Sequence, residues 1–171
     1  MPRCRMMKQL LLLILAFAMS ASVVGAQHLK LDERLPSIDV DSTVGSDLKL
    51  VDRAYTCIIF MHSESRPSVD AIREFSNMAL SLRGHLAVVL ITPEQDGFEQ
   101  EVLNSFTSED TILAFDNDYR TFKNFDVSHI PFAVVYETKS RRVKWFGSLM
   151  QLSAEQLYDL LNLKNVKPKY L

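Results

Sequence analysis

The segment His62-Ser63-Glu64-Ser65-Arg66-Pro67-Ser68 concentrates side chains that can do chemistry. Two hydroxyls stand three residues apart, with Arg66 and Pro67 between them and His62 and Glu64 just upstream. Ser65 is a strong helix N-cap, because its oxygen accepts an amide that would otherwise be orphaned. Pro67 suits a first helical turn, where a missing N–H costs nothing. Arg66 beside the positive end of such a helix could hold a carboxylate or a phosphate. Ser65 or Ser68 could attack an acyl group only with a base to take the proton, for which His62 and His129 are the candidates. No hydrolase motif surrounds them. His62, Glu64 and His129 are weak candidates for an open zinc site, since no close His-x-His pairing supports one. No metal and no cofactor is expected.

Sulfur chemistry has little to work with. Cys4 and Cys57 are the two cysteines. Cys57 lies in the apolar run Thr56-Cys57-Ile58-Ile59-Phe60-Met61, where burial raises a thiol's pKa and leaves it inert, so core packing is its expected role.

The first 26 residues read as a signal peptide. Arg3, Arg5 and Lys8 are a positive start, Leu10 to Met19 is ten apolar residues, and Val24-Gly25-Ala26 offers small residues for cleavage after Ala26. The competing reading is an uncleaved anchor over Gln9 to Leu29, weakened by Ser20, Ser22, Gly25, Gln27 and His28. Cleavage leaves 171 − 26 = 145 residues with a formal charge of 16 − 21 = −5. That charge and the lack of a basic stripe argue against nucleic acid. Cys57 would then be the one thiol, which excludes an internal disulfide and dithiol exchange within one chain. The expected location is the periplasm or outside the cell, with no membrane contact after cleavage. At 47% hydrophobic and 23% charged residues, the composition is globular, and no internal repeat is visible.

The remainder alternates strands and helices. Residues 27–34 read as a linker, 35–163 as one domain and 164–171 as a loose basic tail. Ile38–Val40 and Leu48–Val51 look like short strands, and Thr56–Met61 and Leu86–Ile91 like buried ones. Ile72, Phe75, Ala79 and Leu82 share one helical face, with Gly84 placed to end that helix. Phe98 to Phe106 suggests a short helix, Thr111–Phe115 a strand and Tyr119–Phe125 another short helix. Phe132–Tyr136 and Val143–Phe146 form a hairpin around Glu137–Ser140. Arg141, Arg142, Lys139 and Lys144 are expected to solvate that turn and oppose edge pairing. Ser153-Ala154-Glu155-Gln156 is a capping box, with Leu152 and Leu157 as its staple, opening a last helix to about Leu163. The fold class is α/β, a mixed central sheet with helices on both faces.

The run from Phe60 to Ser68 resembles the active-site segment of thioredoxin-fold proteins, in which a central strand ends before Cys-x-x-Cys at the start of a helix. Ser65 and Ser68 fall on the two cysteines, and Pro67 on the proline between them. Asp116 to Val127 followed by Ser128-His129-Ile130-Pro131-Phe132 is similar to the family's second conserved segment. The lead-in Leu35-Pro36-Ser37-Ile38 and the signal peptide are most similar to the exported TlpA/ResA-like (redoxin) subgroup. The resemblance covers about Leu35 to Leu163. It implies a thioredoxin-like three-layer fold and a cis Pro131.

The departure from the pattern is the absence of both cysteines. A serine hydroxyl has a far higher pKa than a thiol and forms no disulfide, so the helix start is kept and the redox chemistry is discarded. The resemblance then implies a non-catalytic binding or scaffolding module whose groove, formed by Glu64, Ser65, Arg66, Pro67, Ser68, His129, Ile130 and Pro131, takes an extended peptide or an envelope protein by strand-like pairing. The alternative is a thiol-disulfide oxidoreductase or peroxidase-related protein of the TlpA or AhpC-TSA type using Cys57, a cysteine from another chain or a bound cofactor, although no peroxidatic motif occupies the loop.

Overall fold

The structure is a computed structural model that describes residues 29–45, 48, 52–82, 84–94 and 111–163. The expected signal peptide, the helix over 98–106 and the tail 164–171 lie outside the described residues, as does most of the strand expected over 48–51.

The centre of the molecule is a pair of parallel strands. They are β2 (Tyr55–Phe60) and β3 (Leu86–Thr92), and every residue of β3 is buried. Near-continuous apolar runs are what a strand covered on both faces requires. Around them stand β1 (Ser42–Val44), β4 (Thr111–Phe115), β5 (Phe132–Glu137) and β6 (Arg142–Ser148), in the order β1-β4-β3-β2-β5-β6. β3 and β4 are parallel, and the β1–β4, β2–β5 and β5–β6 pairs are antiparallel.

Alternation along β2 sends its side chains to two cores. Cys57, Ile59 and Met61 pack with Ile72 and Phe75 of helix α1 (Arg66–Leu80) and with Leu157 of helix α3 (Ala154–Leu160). Ile58 and Phe60 face the other way, toward Phe125 and Phe132, with Phe122 of the short helix α2 (Arg120–Asn124) packed against them. The fully buried Phe60 ring lies 5.0 Å from Phe122, 5.2 Å from Phe125 and 6.2 Å from Phe132, in tilted or edge-on arrangements that suit the ring quadrupole. The result is the three-layer α/β architecture expected from the alternation of elements.

Several boundaries differ from the sequence-based expectation. α1 stops at Leu80 rather than near Gly84, because the Ser81 hydroxyl donates to the Met78 carbonyl at 2.6 Å and accepts from the Tyr158 hydroxyl at 2.7 Å. Gly84, at φ +85°, instead takes the left-handed position of the turn into β3. Ile38–Val40 is not a strand. The Asp39 amide and carbonyl are both taken by the Thr121 hydroxyl on α2, at 2.9 and 2.8 Å, and the edge strand forms later, at Ser42–Val44. The capping box is present, with Ser153 and Gln156 bonded reciprocally at 3.2 and 3.0 Å, but α3 ends at Leu160.

The start of the far edge strand, at Arg141–Val143, is covered by residues 32–35. Asp32 and Leu35 donate their amides to Val143 and Arg141 at 2.7 Å each, and Arg34 bridges Arg142. The basic residues of the hairpin therefore hold the preceding segment instead of only solvating the turn. Lys144 reaches Asp32 at 2.7 Å, and the Arg142 guanidinium donates to the Asp32 carbonyl at 2.5 Å. Over Arg141–Val143 the backbone is therefore already paired and offers no template for another chain.

Candidate functional site

Strand register brings the chemically capable segments to one end of the sheet. Phe60 stands opposite Phe132 on one side and beside Ile91 on the other, and Thr92 stands beside Phe115. The chain therefore leaves β2, β3 and β4, and enters β5, at the same end. The Met61 amide extends the ladder by donating to the Ile91 carbonyl at 3.0 Å.

Ser65 caps α1. Its backbone is extended (φ −80°, ψ 98°), and its oxygen accepts from the Ser68 amide at 3.4 Å. The Ser68 side chain is fully buried and donates its hydroxyl proton to Ser65 Oγ at 3.0 Å. A buried hydroxyl needs a partner, and this one finds it one turn back on its own helix. Pro67 occupies the first turn, while Arg66 and Pro67 are exposed beside the pair.

Pro131 leads into β5 at the same end of the sheet. The Ile130–Pro131 peptide bond is cis, and the Pro131 carbonyl accepts from the Leu149 amide at 3.1 Å. Ile130 is half-buried, and His129 is exposed, with its ring edge-on to Phe132 at 5.4 Å. Asp116, buried at the end of β4, anchors the neighbouring helix through the amides of Arg120 (2.8 Å) and Phe122 (3.0 Å).

Neither histidine reaches a serine of the pair. His62 bonds Glu94 through Nδ1 at 2.6 Å, and His129 Nδ1 lies 3.4 Å from Ser128 Oγ. The Ser–His arrangement needed for acyl transfer is therefore not formed among the described residues. His62, Glu64 and His129 do not converge either, and no group of three metal-ligating side chains occurs among the described residues. Glu64 is exposed, and the acid that meets His62 is Glu94 on the adjacent loop.

Glu94 is the residue that sequence reasoning missed. Its carboxylate accepts the Ser63 amide (2.5 Å), the Ser63 hydroxyl (2.9 Å) and the buried Thr92 hydroxyl (2.9 Å) in addition to His62. The only trace in the sequence is a glutamate two residues past a buried strand. Its partners are set by the parallel register of β2 and β3.

Cys57 lies fully buried in the α1–α3 core, with its sulfur 3.9 Å from the Ile58 carbonyl. Burial pushes its thiol far above the ordinary range, so the thiolate is not formed in the folded chain.

The chain superposes on a solution structure of a thioredoxin-like protein in its oxidized form with a TM-score of 0.64, at 14% identity, over 79% of this chain and 99% of that one. The fold is thioredoxin-like. StoA from Bacillus subtilis matches with a TM-score of 0.53, at 18% identity, over 75% of this chain and 98% of that one. A secreted Mycobacterium tuberculosis disulfide oxidoreductase, described as homologous to E. coli DsbE, matches with a TM-score of 0.51, at 15% identity, over 64% and 81%. No protein-family model and no curated protein matches the chain. Within this thioredoxin-like fold, the serine pair occupies the start of the helix that follows β2, and no described helix is long and apolar enough to cross a membrane.

Proposed function

We propose that this thioredoxin-like chain is an exported, non-catalytic module of the TlpA/ResA-like kind, which binds an extended peptide or an envelope protein in the groove between Ser65–Ser68 and His129–Pro131. The observation that carries the reading is the closed hydroxyl pair. Ser68 spends its proton on Ser65, and among the described residues neither oxygen is bonded to a base. Such a pair stabilises a helix start but does no redox chemistry. Beside it, Arg66 is exposed and Pro131 introduces a strand. A backbone next to a strand start can pair with an extended segment, and that recognition needs no sulfur. Export is supported by the signal-like form of residues 1–26 and agrees with the secreted nature of one structural neighbour. Affinity capture with crosslinking, from the protein's own cell envelope, tests the reading. A partner crosslinked at Glu64–Ser68 or His129–Pro131 and weakened by Arg66→Ala is expected. Capture of no partner contacting these residues would defeat it.

A second reading, a thiol-disulfide oxidoreductase or peroxidase-related protein, draws on the neighbour described as a disulfide oxidoreductase. It would use Cys57, whose burial disfavours a thiolate, or a cysteine from another chain, or a bound cofactor. Insulin reduction or peroxide consumption that disappears with Cys57→Ser would favour it.

A further inference from the structure

The Glu94 carboxylate does more than pin a loop. Three of its contacts, to the Ser63 amide, the Ser63 hydroxyl and the Thr92 hydroxyl, already tie the segment after β2 to the end of β3. The fourth fixes an imidazole. At 2.6 Å, His62 Nδ1 and Glu94 Oε1 are within the range of a short, charge-assisted hydrogen bond. A carboxylate can only accept, so the proton of a neutral His62 resides on Nδ1. Nε2 is left with the lone pair. The side chain is 36% exposed, so that lone pair has a route to solvent. His62 is also joined to the helix start, since its carbonyl accepts the Ser65 amide at 3.0 Å. An acceptor of fixed orientation thus stands one turn ahead of the serine pair.

We infer that Glu94 is a positioning residue and that His62 Nε2 is a hydrogen-bond acceptor of the groove, taking an N–H or O–H of the bound peptide. The peptide as ligand rests on the binding function proposed above, whereas the proton position rests on the His62–Glu94 geometry. The dyad sets a selection rule. A segment presenting a donor opposite His62 is favoured over one with an N-methylated amide or a proline there, because the acceptor, once covered by the peptide, would otherwise lose its solvent partner without replacement. This is a different contact from strand-like pairing at Ile130, and it uses residues of the segments that follow β2 and β3.

Two measurements on the full chain test it. Long-range proton–nitrogen spectra of protein carrying nitrogen-15 histidine, taken in mildly alkaline buffer, are expected to show His62 protonated at Nδ1, with the resonance assigned through its loss in His62→Phe. Glu94→Gln is expected to release the ring to mixed tautomers. A wild-type His62 protonated at Nε2 would overturn the inference, and that spectrum decides even if Glu94→Gln does not fold. The second measurement is binding to an array of extended peptides, each paired with copies N-methylated at single positions. Wild type should bind with a severalfold loss at one methylated position. His62→Phe should lower affinity severalfold and erase that preference, and His62→Gln, whose amide oxygen also accepts, should restore part of both. Equal binding by wild type and His62→Phe would sink the role of His62 while leaving the groove intact. Failure of the wild type to bind any peptide would sink the groove reading and the ligand role together, whatever the proton position.

Discussion

Ser68 Oγ donates to Ser65 Oγ at 3.0 Å, so two side chains three residues apart at the start of α1 satisfy each other across one helical turn. The bond is asymmetric in its consequences. Ser68 is fully buried and depends on Ser65, whereas Ser65 is half-buried and can reach water.

That asymmetry predicts a non-additive mutant cycle. Ser65→Ala removes the cap and strands the buried Ser68 hydroxyl, and is expected to cost about 2–3 kcal/mol. Ser68→Ala leaves the cap in place and should cost about 1 kcal/mol or less. The double variant should be less destabilised than the sum, because no orphaned hydroxyl remains. Urea denaturation of the four proteins measures the cycle, and strict additivity would refute the coupling.

Sulfur placed at the two positions should restore chemistry. In Ser65→Cys/Ser68→Cys the residues sit at a helix N-terminus, where the amides and the helix dipole favour a thiolate. The double variant is expected to form an internal disulfide and to catalyse insulin reduction, which neither single variant should do. Thiol titration before and after oxidation, with the turbidity assay, measures both.

Tyr136 should ionise late. Burial raises its phenol, outweighing a hydrogen bond with Thr56 and the nearby Arg141 charge, which both lower it. The folded pKa exceeds the unfolded one, so the associated stability is full below about pH 10, the ordinary tyrosine value, and is lost as pH rises through the raised value. Absorbance titration of the native protein should show one tyrosine lagging the others, and Tyr136→Phe should remove that step.

The segment laid along β6 should loosen in acid. The hydrogen bond from Lys144, then its charge, holds the Asp32 carboxyl below its usual value, and the same bond raises Lys144. Asp32 is depressed, so its contribution is present above the ordinary carboxylate range and fades as pH falls. Lys144 is raised, so its contribution fades only at alkaline pH. Both groups are solvent-facing and the effect is small and local. Protection of the Asp32 and Leu35 amides, which pair with Val143 and Arg141, measured by hydrogen exchange relative to the intrinsic rate at each pH, should fall in acid and in Asp32→Asn, with no change in the β2–β3 core.

Local features of the chain were legible before any coordinates. Ser65 and Pro67 announce a helix start, and Ser153 with Gln156 announces another, because capping is decided within four consecutive residues. Thr56–Met61 and Leu86–Ile91 declare themselves as buried strands by unbroken apolar character. The burial of Cys57 follows from the same pattern. The ends of elements were less legible. α1 ends at Leu80, with Ser81 as its C-cap, and the Ser81 hydroxyl is held by Tyr158, 77 residues away. Ile38–Val40 lost its strand to Thr121, 82 residues from Asp39.

What the linear chain could establish, then, was which segments are buried, where helices begin, and that both positions matching a dithiol carry hydroxyls. Each of these is a property of neighbours in sequence. Only folding decided that His62 meets Glu94 rather than Glu64, that the serines bond each other and neither histidine, and that Arg142 and Lys144 clasp Asp32. The serine bond comes from the helical turn that sets residues three apart on one face, whereas the partners of Glu94 and Asp32 come from segments distant in sequence that the pairing of β2 with β3 and of β5 with β6 brings together.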